Sequence, residues 1–134
     1  WLNYHYHKGM PDQFRDANIE RSVPGVTGAC MMIHRDAFDA VDGFTEDYVI
    51  GDYEDSDLCL KIRKADFDIK YVPDVSLYHF ERKSISTHAD YMRGVAAEYN
   101  AWLHASRWAD ALEDLHTNGV PQNRSRKTPD GEAA

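Results

Sequence analysis

The chain has 134 residues and a formal net charge of −8, long enough for one domain with a core but shorter than most complete sugar- or nucleotide-handling enzymes. The acidic balance excludes a nucleic-acid partner held through phosphate contacts, which requires a basic stripe. No apolar run approaches the roughly 20 residues that span a bilayer, and WLNYHYHKGMPDQF lacks a signal-peptide layout, so the chain reads as cytoplasmic in character. Cys30 and Cys59 each lie in an apolar run rather than in a short paired spacing, which predicts buried free thiols and no disulfide or zinc frame.

In chain order, residues 1–25 are polar and aromatic without a clear period and read as a lid or loop. The apolar run Ala29 to Ile33 follows Pro24 and Gly25 and predicts a buried strand. RDAFDAVDGF reads as a short helix capped by Asp36 and closed by Asp42 and Gly43. A second helix is expected from Ser56 or Asp57 to about Asp66, with Leu58, Cys59, Ile62 and Ala65 inside and Lys61, Arg63 and Lys64 outside. Two extended pieces, Ile69 to Val72 and Val75 to His79, flank Pro73 and Asp74. A longer helix capped by Ser84 or Ser86 carries Tyr91, Val95, Tyr99, Trp102 and Leu103 at helical spacing and continues through Trp108, Leu112 and Leu115. Its aromatics Tyr99, Trp102 and Trp108 read as core. Residues 117–134 have little to bury and read as a flexible tail, in which the Asn123 sequon is accidental.

The stretch VIGDYEDSDLCLK crowds Glu54, Asp55 and Asp57 at the mouth of the second helix. Capping explains one or two of them, because an acid there accepts free backbone N–H groups and meets the positive end of the helix dipole. A calcium loop fails, since the sixth position needs glycine and holds Asp57, and the twelfth needs a bidentate acid and holds Arg63. A third reading is catalytic: a carboxylate at a helix start, facing a cleft, can take a proton from a hydroxyl nucleophile. The residues alone leave capping and catalysis level.

Residues 26–84, VTGACMMIHRDAFDAVDGFTEDYVIGDYEDSDLCLKIRKADFDIKYVPDVSLYHFERKS, resemble the carboxyl half of the family 2 glycosyltransferases, inverting enzymes of the GT-A fold that use nucleotide-diphosphate sugars. The Gly-Ala-Cys run, the Gly-Phe turn, the Glu-Asp-x-Asp-Leu helix start, the Tyr-x-Pro turn and the later His-x-Glu-x-x-Ser come in that family's order and spacing. The resemblance implies an α/β fold, the carboxyl-terminal part of a GT-A domain: a short mixed sheet with flanking helices, incomplete without an amino-terminal half. Residues 26–116 become its acceptor-side and catalytic-base part.

The same resemblance implies roles. Asp55 falls where the family has its catalytic base, and Glu54 where a companion orients the base or touches the acceptor. Asp57 is taken mainly as the helix cap, within the acidic group that supports the base. Gly28 and Ala29 are small enough for an acceptor to lie close, and Arg82 and Lys83 are candidates for the diphosphate. His79 falls at the family's metal-binding histidine, which implies Mg²⁺ or Mn²⁺ on the departing diphosphate. The remaining histidines, His5, His7, His34, His88, His104 and His116, read as surface residues.

Departures from the pattern are Asp42 in the Gly-Gly-Phe turn, Asp66 where a glycine usually follows the acidic helix, and Phe80 after the metal histidine. The donor-side Asp-x-Asp motif is missing, since Asp12 and Asp16 lack its spacing. One imidazole cannot hold Mg²⁺ or Mn²⁺ against water, so most ligands are expected from a missing amino-terminal half. The implied picture is an inactive segment of a longer transferase whose partners are a nucleotide-diphosphate sugar and a glycan or lipid-linked acceptor, reached at the inner membrane face through the parent protein. An uncovered sheet edge would then favour a homodimer. A non-catalytic binding or assembly module and a metal-dependent hydrolase are the alternatives.

Overall fold

Leu58, Cys59 and Ile62 recur on one side of a helix, and the rest of the fold is arranged to cover them. The computed structural model describes residues 4–79 and 94–121. After a 3-10 turn at Arg15–Asn18 comes strand β1 (Arg21–Ser22), then a second 3-10 turn at Gly28–Cys30 and helix α1 (Arg35–Ala40). Helix α2 (Glu54–Lys64), strand β2 (Lys70–Tyr71) and the long helix α3 (Val95–Asn118) complete the order.

β1 and β2 pair antiparallel, Arg21 with Tyr71 and Ser22 with Lys70, and Val23 prolongs the ladder by donating its N–H to Ile69 O at 2.9 Å. This brings Val23, from the segment expected as a lid or loop, into the core with Ile69, Leu58, Cys59 and Ile62. Val26, Met31, Ile33, Phe38, Val41 and Phe67 pack around that cluster.

Both short helices end through a left-handed residue. Gly43 (φ +59°) donates to Phe38 O at 3.0 Å and closes α1 as expected, whereas Asp36, expected as its cap, lies inside the first turn and the N-cap is His34. Asp66 (φ +69°) does the same for α2, with Phe67 N–H on Ile62 O at 3.1 Å. The glycine usual at that point of the pattern therefore has a physical reason, which an aspartate meets at some strain.

Several expectations are corrected. Among the described residues the expected short mixed sheet is a two-stranded antiparallel ribbon. The run Ala29 to Ile33 forms no strand: among the described residues no neighbouring strand offers it a ladder, Cys30 is exposed, and Met32 is 99 % exposed. Val75 to His79 likewise forms no strand and leaves Val75, Leu77 and Tyr78 in solvent. α2 starts at Glu54, two residues early, because Tyr53 turns left-handed (φ +77°) and frees the acids to be helical. α3 starts at Val95; the caps proposed at Ser84 and Ser86, and Tyr91, lie outside the described residues. Of its aromatics only Trp108 is core, whereas Tyr99 and Trp102 are exposed and lie 5.9 Å apart. Cys59 is buried as expected. No helix among the described residues is long and apolar enough to cross a membrane.

Candidate active site

The approach to α2 is the segment 49–53, in which Ile50, Asp52 and Tyr53 all take positive φ (65°, 68° and 77°). Such a run of side-chain-bearing residues is sterically costly, most of all at β-branched Ile50, and persists only where the surroundings impose it. Asn100 of α3 supplies much of that constraint. Fully buried, it accepts from Val49 N–H at 2.9 Å and donates to Val49 O at 3.0 Å and Gly51 O at 2.7 Å.

One turn further along α3, the buried ring of His104 lies 5.1 Å from that of Tyr53. A further turn on, Trp108 reaches Asp57. Asn100, His104 and Trp108 thus form one stripe, spaced by four residues, against which the acidic approach docks.

Asp55 sits in the first turn of α2, half-buried. Its Oδ2 accepts from Gly28 N–H at 2.9 Å and its Oδ1 from Ser56 N–H at 2.7 Å. The capping and catalytic readings of this acid are therefore compatible: one oxygen serves a helix amide, the other holds the Gly28 turn, and lone pairs remain on both. A Cβ on Gly28 would meet Asp55 Cβ at 3.5 Å, an ordinary contact, so the Gly28–Asp55 approach alone does not demand glycine. Ala29 is exposed, its N–H directed to Thr27 Oγ1 at 3.4 Å.

Glu54 is half-buried, and its Oε2 has no hydrogen-bond partner. Burial pushes its carboxyl above the usual range, its own backbone N–H opposes, and the charges of Asp55 and Asp52 add to the rise.

Asp57 is not the cap expected of it. It is fully buried and accepts from Thr45 Oγ1 at 2.5 Å, Trp108 Nε1 at 2.7 Å, Tyr48 OH at 3.1 Å and Arg107 at 3.3 Å. Burial alone would raise its carboxyl, but these donors, Thr45 first, outweigh burial and hold it below the ordinary value. Arg107 also pairs with exposed Asp47 at 2.7 Å. A local break in helical geometry at Trp108 (φ −119°, ψ 15°) sits where Arg107 and Trp108 both turn to Asp57. A shallow groove of about 530 Å³ behind this knot is lined by Thr45, Lys61, Arg107 and Trp108 and includes neither Glu54 nor Asp55.

His79 is exposed at the end of the extended segment after β2. Among the described residues no three of His, Cys, Asp and Glu converge to hold a metal ion, so these residues do not build a Mg²⁺ or Mn²⁺ site by themselves. Arg82 and Lys83 lie outside the described residues. His104, expected at the surface, is 1 % exposed with both ring nitrogens unpartnered. Burial lowers its pKa, with the Asp57 charge opposing. Asn100 and Arg107 carried no signal beyond being polar residues in or beside an apolar stripe.

A family model described as the N-terminal domain of galactosyltransferase matches residues 8–84. The chain belongs to this glycosyltransferase family. Its description differs from the family 2 carboxyl half that the sequence resembles, and the two meet on glycosyl transfer. The N-acetylglucosaminyl-diphospho-decaprenol L-rhamnosyltransferase of Mycobacterium tuberculosis is 35 % identical over 82 residues, 61 % of this chain and 26 % of the relative. An uncharacterised protein of Mycobacterium bovis is 31 % identical over 111 residues, 78 % of this chain and 42 % of the relative. An uncharacterised protein of Sinorhizobium fredii is 39 % identical over 66 residues, 49 % of this chain and 7 % of the relative. The glycosyltransferase chain thus spans less than half the length of these curated relatives. No solved structure matches it.

Proposed function

We propose that this glycosyltransferase domain is the acceptor side of an inverting enzyme, with Asp55 as its general base. What carries the reading is the setting of Asp55: a carboxylate on the first turn of α2, half-exposed, fixed by Gly28 and Ser56 amides and still able to accept a third hydrogen bond. The acceptor hydroxyl gives its proton to Asp55 while its oxygen bonds to the anomeric carbon. The bond from that carbon to the diphosphate breaks on the opposite face, and the electron pair leaves with the diphosphate. Glu54 lies beside the base, where it orients Asp55 or touches the acceptor.

The donor side belongs, on this proposal, to further sequence of a longer parent, as the partial coverage of the relatives supports. A divalent ion would take its carboxylate ligands there, with His79 as the contribution of this chain. Arg82 and Lys83 are offered to the diphosphate, and Gly28 and Ala29 to the acceptor. The relative named for a decaprenol-linked substrate supports a glycan on a lipid carrier as acceptor, met at the cytoplasmic face of the membrane. The isolated chain would be inert, and the exposed Val72, Val75, Leu77 and Tyr78 beside β2 favour its self-association.

Asp55→Asn in the full-length parent tests the base: transfer should fall by about 10²–10⁴-fold with nucleotide-sugar binding retained. The second reading, a non-catalytic assembly module, draws on the two amide bonds that already occupy Asp55, and unchanged transfer in the same variant would establish it.

A further inference from the structure

His104, Glu54 and the segment 49–53 share an oddity. The two ring nitrogens of His104 and Oε2 of Glu54 are the buried side-chain atoms without partners among the described residues, and both residues adjoin Tyr53, the first by ring contact and the second in sequence. In the same five-residue stretch Ile50, Asp52 and Tyr53 are left-handed. Unpaired buried polar atoms and strained backbone each favour a state in which they are released. Against release stand the three hydrogen bonds of Asn100 and the Tyr53–His104 ring contact.

We propose that His104 is a positioning residue for the Glu54–Asp55 pair, and that segment 49–53 is a two-state strap that it helps to open. Docked, Tyr53 rests on His104 and sets the first turn of α2, with Asp55 on the Gly28 turn. Undocked, water reaches both imidazole nitrogens and Glu54 Oε2, and Ile50, Asp52 and Tyr53 leave their strained conformations. A phenylalanine at 104 would offer the same ring face without nitrogens to hydrate. Histidine therefore makes opening easier than packing alone would. The consequence for catalysis rests on the reading of Asp55 as base, but the motion does not.

Native-state hydrogen exchange on the full 134-residue chain tests it. The Val49 amide, bonded to Asn100, should exchange at least about tenfold faster than the Leu58 amide in the middle of α2, because the strap opens while the core stays closed. In His104→Phe the exchange of Val49 relative to Leu58 should slow by about tenfold or more. If Val49 and Leu58 exchange at one common rate in the unaltered chain, or if their ratio is the same in His104→Phe, the strap opens only by global unfolding and the proposal is overturned. The unaltered chain decides the first point even if the variant fails to fold. Retained transfer in Asp55→Asn would remove the enzymatic reading and leave these exchange ratios as they are.

Discussion

Trp108 donates its indole N–H to Asp57 at 2.7 Å, joining α3 to the first turn of α2 across 51 residues of sequence. Asp57 is buried, and its carboxylate is shared by donors from two segments: Thr45 and Tyr48 of the loop before α2, and Arg107 and Trp108 of α3. Removing that buried charge takes the acceptor from Thr45, Tyr48 and Trp108, while Arg107 keeps Asp47. Asp57→Ala should lower the free energy of unfolding by about 3–5 kcal/mol. Asp47→Ala, which breaks only the exposed half of the same network, should cost less than about 1 kcal/mol. Urea titration of both variants measures the contrast.

Two titrations set the acid limb of stability. The imidazole of His104 binds protons less readily folded than unfolded, so the unfolded chain takes up more protons as the pH falls below its ordinary value of 6.5, and stability drops from there downward. Asp57 behaves alike lower down: its contribution is complete above the ordinary value of 3.8 and is lost as the pH falls through its depressed folded value. Glu54 runs the other way, favouring the folded state below its ordinary value of 4.5 and losing that contribution as the pH rises through its elevated one. Thermal unfolding between pH 7 and pH 5 should therefore show a decline in Tm that is absent in His104→Phe.

Ile50 pays for its left-handed backbone while 59 % exposed, so little burial is at stake there. Ile50→Gly should stabilise the chain by about 1 kcal/mol through relief of that strain, less the extra freedom of glycine in the unfolded chain. A higher urea midpoint at unchanged slope is the expected result.

Gly43 gives the opposite prediction. An added Cβ would lie 2.8 Å from Phe38 Cζ at a backbone φ of +59°. Gly43→Ala should therefore cost about 1–3 kcal/mol and loosen the edge-on packing of Phe38 against Phe44, visible as a lowered Tm.

What the sequence made legible was local. α1 with its Gly43 end, and Leu58, Cys59 and Ile62 on the inner side of α2, followed from periodicity and turn chemistry, because neighbours a few residues away decide them, whereas Ala65, expected inside, is exposed where the helix ends. The run Ala29 to Ile33 forms no strand because an apolar pentapeptide becomes one only beside a partner, and the ribbon among the described residues is built from β1 and β2. Asp57 looked like a cap because acids gather at helix starts, whereas its partners lie up to 51 residues away. His104 and Asn100 were hidden for the same reason: a polar residue on an apolar stripe looks like an imperfection until the loop it holds is placed against it.

The two thiols divide the molecule for a chemist. Cys30 stands in solvent on the turn that Asp55 anchors, while Cys59 is sealed between Val26 and the core, its thiol made a weaker acid by burial. An alkylating reagent should modify the first at once and the second only when α2 leaves its seat, so a single mass spectrum read over time would act as a clock for loss of the native core, with the outer sulfur as its internal standard.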